Sequence, residues 1–507
     1  MISIIEPFWR LFHGRLSALF CYALYCLIVF LPFIVWHLAQ KYEKPDKKVS
    51  LNPTAFFCLF IPHILFYYVA LYPGIYTYDS LMQYSQADSG RFEDWHPPIM
   101  AGVWRVLIHL FEVKESLFFA YYIEVVLSVG LFYYIIYKIS EKNSIGLIFT
   151  TLVSPCYMIY AGHVWKDVGM AFSLLIAFSL AGLAIIMKIN KTIAFLAALP
   201  FIIYAITVRS NCLPAVVPLV FIFFSGVEYI RKRFLLGISL TFLVVMLLYL
   251  CASITQSRLF QPKSMFIQQA LFLHDISYIA LHNPDPIKIP DQYSRYRYTL
   301  QDLKAAYKPI SYEYLVSFHL NPSPPLQLIH SKEAYNDLEN KWVETVIKNP
   351  MTYLHHRVEV FVELLKQKGG FFTTDSKKMA EGMGLNEFSV PDSMPSSFYL
   401  RHIIQRSIRF LCNYTPLMSV GFWFFYLIFL SVLNFVYLKK TSIIRLALAL
   451  SISGLMYLIP YFIIAAHVEF RYAYWSVISA IFSTALLLCN IINNKKQITS
   501  TSLNAKL

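Results

Sequence analysis

Side chains suited to acid-base and phosphate chemistry collect in four short polar stretches between long apolar runs. The first, YPGIYTYDSLMQYSQADSGRFEDWHPPIM at 72–100, carries Asp79, Asp88, Glu93, Asp94, Trp95 and His96. Asp79 follows Tyr76 and Tyr78, and rings with a polar tip settle where a membrane meets water. A carboxylate held there can take the proton of a hydroxyl while a lipid phosphate leaves at the same depth. Asp88 and Glu93 read instead as a solvated loop. The second stretch is His163-Val164-Trp165-Lys166-Asp167, whose charges must find partners at the interface. Lys166 suits a phosphate, although a snorkelling lysine beside a helix-capping Asp167 also accounts for the pair. Arg209-Ser210-Asn211 and His467-Val468-Glu469-Phe470-Arg471-Tyr472 complete the set. Together Lys166, Arg209 and Arg471 can hold a phosphate, the arginines by paired hydrogen bonds and the lysine as a point charge. Glu124, in the middle of a hydrophobic run, reads as a buried hydrogen-bonded group. His355, His356 and the other histidines show no metal-ligand spacing.

The elements that must position these residues are membrane helices. Of 507 residues 57% are hydrophobic and 14% charged, with a mean hydropathy of +0.54; soluble domains carry about 25% charged residues. Apolar runs near 20 residues in length match a bilayer-spanning helix, and the absence of alternating strands excludes an outer-membrane barrel. This predicts an all-α polytopic membrane protein with eleven transmembrane helices, at 17–39, 52–72, 116–137, 145–163, 168–187, 192–208, 212–229, 234–256, 417–438, 443–465 and 472–492. The first run lacks a small-residue cleavage site and reads as a retained span. The net charge of +14 comes from Lys and Arg at the ends of these runs. That is topology in a lipid bilayer and not a nucleic-acid patch. The loops at 40–51, 138–144, 188–191, 230–233 and 439–445 and the C-terminal tail hold 17 Lys and Arg, against 8 in the short opposite segments. The positive-inside rule makes the first set cytoplasmic and puts the four polar stretches outside. The eight cysteines form no disulfide framework and no zinc pair.

The chain then divides into two helices at 1–72, a first outer loop at 73–115, a six-helix core at 116–256, an extracytoplasmic domain at 257–416, and three helices with a tail at 417–507. Within the loop, Pro97 and Pro98 open an interfacial helix with Met100, Val103, Trp104, Leu107 and Phe111 on its apolar face and Arg105, His109 and Glu112 on the other. The insert at 257–416 has 18 basic and 15 acidic residues. A helix is expected at 334–348. Asn349 and Pro350 start another, with Leu354, Val358, Phe361 and Leu365 at helical spacing as far as Gly369-Gly370. The proline-rich stretch 282–325 reads mostly as loop.

Asp79, His96-Pro97-Pro98, Trp165-Lys166-Asp167 and Arg471-Tyr472, in this order, resemble the GT-C superfamily of membrane glycosyltransferases. HDISYIA at 274–280 and the pattern from Trp342 through Asn349-Pro350 to Arg357 resemble segments of its bacterial members with a large outer insert. The set is most similar to the serotype-converting glucosyltransferases that decorate O-antigen. The resemblance implies a GT-C-like fold in the cytoplasmic (inner) membrane with its active site facing the periplasm. It implies transfer of a sugar, glucose in those relatives, from polyprenyl (undecaprenyl) phosphate to a hydroxyl of a lipid-linked glycan or lipopolysaccharide, with inversion if the displacement is single. By position, Asp79 is the base, Asp94 a second carboxylate, and Lys166, Arg209 and Arg471 the donor-phosphate partners, with His96, Asp167, Glu469 and Trp95 in support. Many relatives have an acidic pair in the first loop, whereas Ser80 follows Asp79 here. The second carboxylate therefore stays open among Glu93, Asp94 and Asp167, and a divalent metal lacks an oxygen cage. An O-antigen polymerase or ligase, a lipid-linked sugar transporter and a non-enzymatic subunit remain as rival readings.

Overall fold

A computed structural model describes residue 61 and the chain from residue 64 onward, apart from 141–144, 225–233, 285–286, 371–375, 386–387, 389–394, 438–440 and 505–507. Every named element among the described residues is helical, with only isolated bridges besides. The helices that frame the site are α1 (Tyr78–Ser89), α2 (Ile99–Phe111), α3 (Ser116–Ser140), α4 (Lys166–Ile186), α5 (Lys191–Val208) and α6 (Phe234–Phe260). The insert contributes α7 (Gln268–His282), α8 (Lys332–Lys348), α9 (Pro350–Lys366) and α10 (Pro395–Tyr414). The chain closes with α11 (Val420–Val436), α12 (Ser442–Leu458), the short α13 (Tyr461–Ile464) and α14 (Tyr474–Asn504).

Among the described residues six helical stretches are long and apolar enough to cross a membrane: Ser116–Ile139, Lys166–Ile186, Lys191–Val208, Leu235–Phe260, Ser442–Ile464 and Phe470–Ile492. Ser210–Phe224 and Val420–Val436 are apolar but shorter. The protein is therefore helical and membrane-associated, and among the described residues six of the eleven expected spans are helices of this length. The first expected span and most of the second lie outside the described residues. The run at 145–163 is not one helix but two, Ile145–Leu152 and Ser154–Met158. Pro155 lacks the N–H that would continue the first helix, and it opens the second.

Burial sorts the spans. The windows of α4 and of Phe470–Ile492 are 78% and 83% buried and form the centre, whereas Leu235–Phe260 is 17% buried and lies at the rim. The centre is joined by small residues and hydroxyls, the means by which helices adhere where no water drives them together. A Cβ on Gly454 would lie 2.1 Å from Ser479 Oγ, so the glycine lets the Ser479 side chain of α14 lie directly against α12. Trp475 Nε1 donates to Ser453 Oγ at 2.9 Å, and Asn434 Nδ2 to Ser483 Oγ at 3.0 Å.

In the first polar segment α1 starts at Thr77, whose N–H donates to Ser80 Oγ at 3.1 Å, and stops at Gly90, which takes the left-handed φ of 69° that glycine tolerates. The expected interfacial helix is α2, with Met100 and Trp104 buried. Phe111, assigned to the same face, is 63% exposed, because the chain turns into a left-handed conformation at Glu112 and leaves the last turn unpacked.

The insert has its own core of Phe272, Leu273, Ile276, Leu303, Leu315 and Leu338. The helix expected at 334–348 is α8. The proline-rich 282–325 stretch holds short helices at Leu300–Ala306 and Glu313–Val316, the first opened by Thr299 and Asp302 exchanging hydrogen bonds. In α9 the expected face is rotated: Leu354 and Val358 are exposed, and His356, Arg357, Val360 and Leu364 are buried. The helix ends at Lys366, and the Asn349 side chain is drawn away from the cap to bond Asn283 and the Thr345 carbonyl. Polar burial overrides hydrophobic spacing here because Arg357 has partners inside.

Candidate functional site

Backbone pairing brings the first two polar stretches together at one end of the bundle. Ile75 N–H donates to the Gly162 carbonyl at 2.8 Å, and Val164 N–H returns a bond to Ile75 at 3.1 Å. Ser80 Oγ reaches the Val164 carbonyl at 2.8 Å, and Trp165 Nε1 donates to Thr77 Oγ1 at 2.8 Å. These four bonds hold the start of α4 against the start of α1 and so set Lys166 facing Asp79. Arg471, on the turn before α14, approaches from the other side.

Arg471 Nη1 donates to Asp79 Oδ2 at 2.7 Å, and its Nε binds Glu469. The guanidinium lies over the Trp165 ring, 5.0 Å from the centroid, a cation-π contact that fixes its plane. One arginine thus bridges two carboxylates. Burial pushes the Asp79 carboxyl up, but Arg471, His96 and Lys166 outweigh it and hold the group below the ordinary carboxylate range. Glu469 follows the same pattern, its burial outweighed by the His467 hydrogen bond and Arg471.

Lys166 Nζ donates to His96 Nδ1 at 3.0 Å. When Lys166 is charged it has only donors, so Nδ1 is then the accepting nitrogen and the proton of the neutral ring sits on Nε2, 3.8 Å from Asp79 Oδ1. Burial first, and Lys166 second, push His96 down to about 3, so the ring is uncharged at physiological pH.

Asp79, His96, Trp165, Lys166, Asp167 and Arg471 line one pocket together with Gln83, Met100 and Val164. Its cavity volume is about 10 Å³, room for roughly one water and far below the roughly 300–1,000 Å³ of small-molecule clefts. A ligand larger than that must part Asp79 from Arg471.

Other expected residues fall elsewhere. Asp94 lies outside the pocket lining and joins loops: it accepts from Met265 N–H at 2.6 Å and Ser264 Oγ at 3.1 Å. Trp95 is half-buried beside it, outside the pocket lining, and Glu93 is engaged through Gln86 and the bridge to Lys263. Arg209 pairs with the fully buried Asp167 at 2.5 Å and lies over Tyr472. Burial lowers its pKa, but Asp167 outweighs that and raises it. Asp167 is therefore neutralised from behind and Arg209 is spent on it, leaving Lys166 and Arg471 as the cations lining the pocket. Glu124, as expected, accepts a hydrogen bond from Ser173.

The insert completes the site by gripping the last polar turn. Asp275 accepts from Trp342 Nε1 at 2.8 Å and from Arg357 Nη2, with His356 Nδ1 2.8 Å away. Arg357 Nη1 in turn donates to the carbonyls of Ile463 at 3.1 Å and Ala465 at 2.8 Å. Tyr312 N–H binds the Ala466 carbonyl, Val468 N–H binds that of Ile310, and His467 Nδ1 meets Ser311 Oγ at 2.8 Å. His467 Nε2 then holds Glu469 at 3.0 Å. The sequence patterns around His274-Asp275 and from Trp342 to Arg357 are thus the clamp on the turn that carries Glu469 and Arg471.

Sequence reasoning missed Gln83, one helical turn after Asp79, and left Glu469 out of the choice of second carboxylate. The i+4 spacing is the signal that would have found Gln83.

Among the described residues no three His, Cys, Asp or Glu side chains converge as a cation site. The carboxylates lining the pocket are each already bound by a guanidinium, so the donor set does not fit a divalent metal. No family model, no curated protein and no solved structure matches the chain.

Proposed function

We propose that the chain is a GT-C-type membrane glycosyltransferase that moves a sugar, glucose by resemblance, from polyprenyl phosphate to a hydroxyl of a surface polysaccharide such as O-antigen. The active site faces the outer side of the cytoplasmic membrane. The observation that carries the reading is Asp79 set between Arg471 and the His96-Lys166 pair, at one end of an apolar helix bundle.

The acceptor hydroxyl attacks the anomeric carbon and gives its proton to Asp79. The bond from that carbon to the phosphate oxygen breaks, and its electron pair leaves with the lipid phosphate. Lys166 and Arg471 neutralise the departing charge. One displacement inverts the centre. The phosphate competes with Asp79 and Glu469 for Arg471, so its arrival loosens the ion pair that makes Asp79 a weak base. His96 stays neutral, and its Nε2–H faces the carboxylate that receives the proton. Arg209 contributes by cancelling Asp167, which would otherwise repel the donor.

The test is mass spectrometry of surface polysaccharide from cells with and without the protein, supplied with the polyprenyl-phosphate sugar pathway. A hexose increment per repeat that disappears in a normally inserted Asp79→Asn variant is the expected result. A changed chain length with an unchanged repeat indicates a polymerase instead, and no change at all reopens transport.

A further inference from the structure

Gln83 follows Asp79 by four residues and so lies on the same face of α1. It is 2% exposed, and its side chain lines the pocket that Asp79 lines. Both its Nε2 and its Oε1 are buried without a hydrogen-bond partner. Gln86, on the same helix, differs at one end: its Oε1 accepts from Glu93 N–H, and its Nε2 alone is buried without a partner. Burying an amide with no partner carries the full desolvation penalty of both its polar ends, and an apolar side chain of that size would avoid it. A group kept at such a cost beside a charged pocket is expected where a ligand supplies the partners.

The chemistry of the amide selects the kind of partner. The pocket already holds two cations for an anion and a carboxylate for a proton. A phosphate oxygen would satisfy only the Nε2 donors and leave Oε1 unpaired. A hydroxyl both donates and accepts, and it matches the two ends of an amide. We propose that Gln83 is the residue that reads a hydroxyl of the transferred sugar. This rests on the glycosyltransferase reading and names the part of the donor that Lys166 and Arg471 do not bind.

The experiment is thermal unfolding of the full-length protein in nanodiscs, wild type against Gln83→Leu, each alone, with polyprenyl phosphate, and with polyprenyl-phosphate glucose. Without lipid the variant unfolds at the same temperature as wild type or higher, because an unsatisfied buried amide is gone. Bare lipid phosphate raises both proteins equally. The additional rise given by the glucose-bearing lipid appears in wild type alone, corresponding to binding weaker by about tenfold in the variant. If the variant keeps that additional rise, or loses the response to bare lipid phosphate as well, Gln83 does not read the sugar and the inference falls by itself. If wild type responds to neither lipid, the donor reading falls and the inference falls with it. A variant that unfolds well below wild type without lipid also overturns it, since the amide then has a role in holding the fold.

Discussion

Replacing Arg471 by Gln removes the guanidinium that grips Asp79 while leaving a polar side chain in its place. In the wild type the pair keeps Asp79 ionised below the ordinary carboxylate range, so the acid limb of kcat/KM lies below about pH 4. The sign follows from linkage: with its folded pKa depressed, the Asp79 pair contributes stability above the unfolded value of about 3.9 and loses it as pH falls through the folded one. Over pH 5 to 8, roughly, the wild type is therefore flat on this account, and His96, already neutral, adds no limb there. A charge-assisted hydrogen bond is worth about 1.5–3 kcal/mol, and a pH unit corresponds to about 1.36 kcal/mol, so Arg471→Gln should move the limb up by about one to two pH units. Asp79 is 34% exposed, and solvent screening favours the lower half of that range. The assay is sugar transfer in proteoliposomes from about pH 2 to 8, a window that contains both limbs, with each protein normalised to its own plateau. An acid limb in the variant that coincides with that of the wild type would refute both the ion pair and the role of Asp79 as base.

Asp94→Asn should keep kcat within about tenfold of wild type while loosening 263–265 in hydrogen exchange, because Asp94 spends both oxygens on Ser264 and Met265; loss of transfer equal to that of Asp79→Asn would restore it as catalytic. Asp167→Asn leaves Arg209 buried without its counter-charge and should cost about 3–5 kcal/mol in thermal unfolding, with part of the loss recovered by adding Arg209→Gln. Arg357→Lys keeps the charge but loses the fork that spans Asp275 and two carbonyls. It should raise hydrogen exchange across 466–472 and lower kcat/KM by about 10- to 100-fold. Combined with Arg471→Lys, the two effects should be less than additive, since both act through the position of Arg471.

Much of the site was readable because its chemistry is expensive. Charges in tight turns between apolar runs need partners, and the turns at 163–167, 209–211 and 467–472 do converge with Asp79. What each charge pairs with was not readable. Asp79 and Arg471 are 392 positions apart, and no local pattern says that Arg471 also takes Glu469 or that Arg209 is spent on Asp167. Asp94 carries the same charge as Asp79 in the same loop, and only the fold shows that its oxygens tie that loop to 264–265. For the fold, hydropathy marks apolar length but not continuity. Pro155 divides the run at 145–163, and in α9 the buried Arg357 overrides the hydrophobic spacing of Leu354 and Val358.

Charge balance explains why the ligand-free pocket is so tight. Asp79, Asp167 and Glu469 face Lys166, Arg209 and Arg471, three carboxylates against three cations, and His96 is neutral. With its charges paired, the empty site has no reason to stay open, and its cavity is about 10 Å³. On the proposed reading an entering lipid phosphate upsets that balance, and Lys166 and Arg471 must shift toward it. Asp79 and Glu469 then lose the cation they share, and the basicity of Asp79 rises while the donor is in place. The same ion pair that keeps Asp79 a poor base in the empty protein thus orders the reaction, donor first and proton transfer second. A transfer rate that required the acceptor to bind before the donor, measured by varying both in steady state, would contradict this ordering.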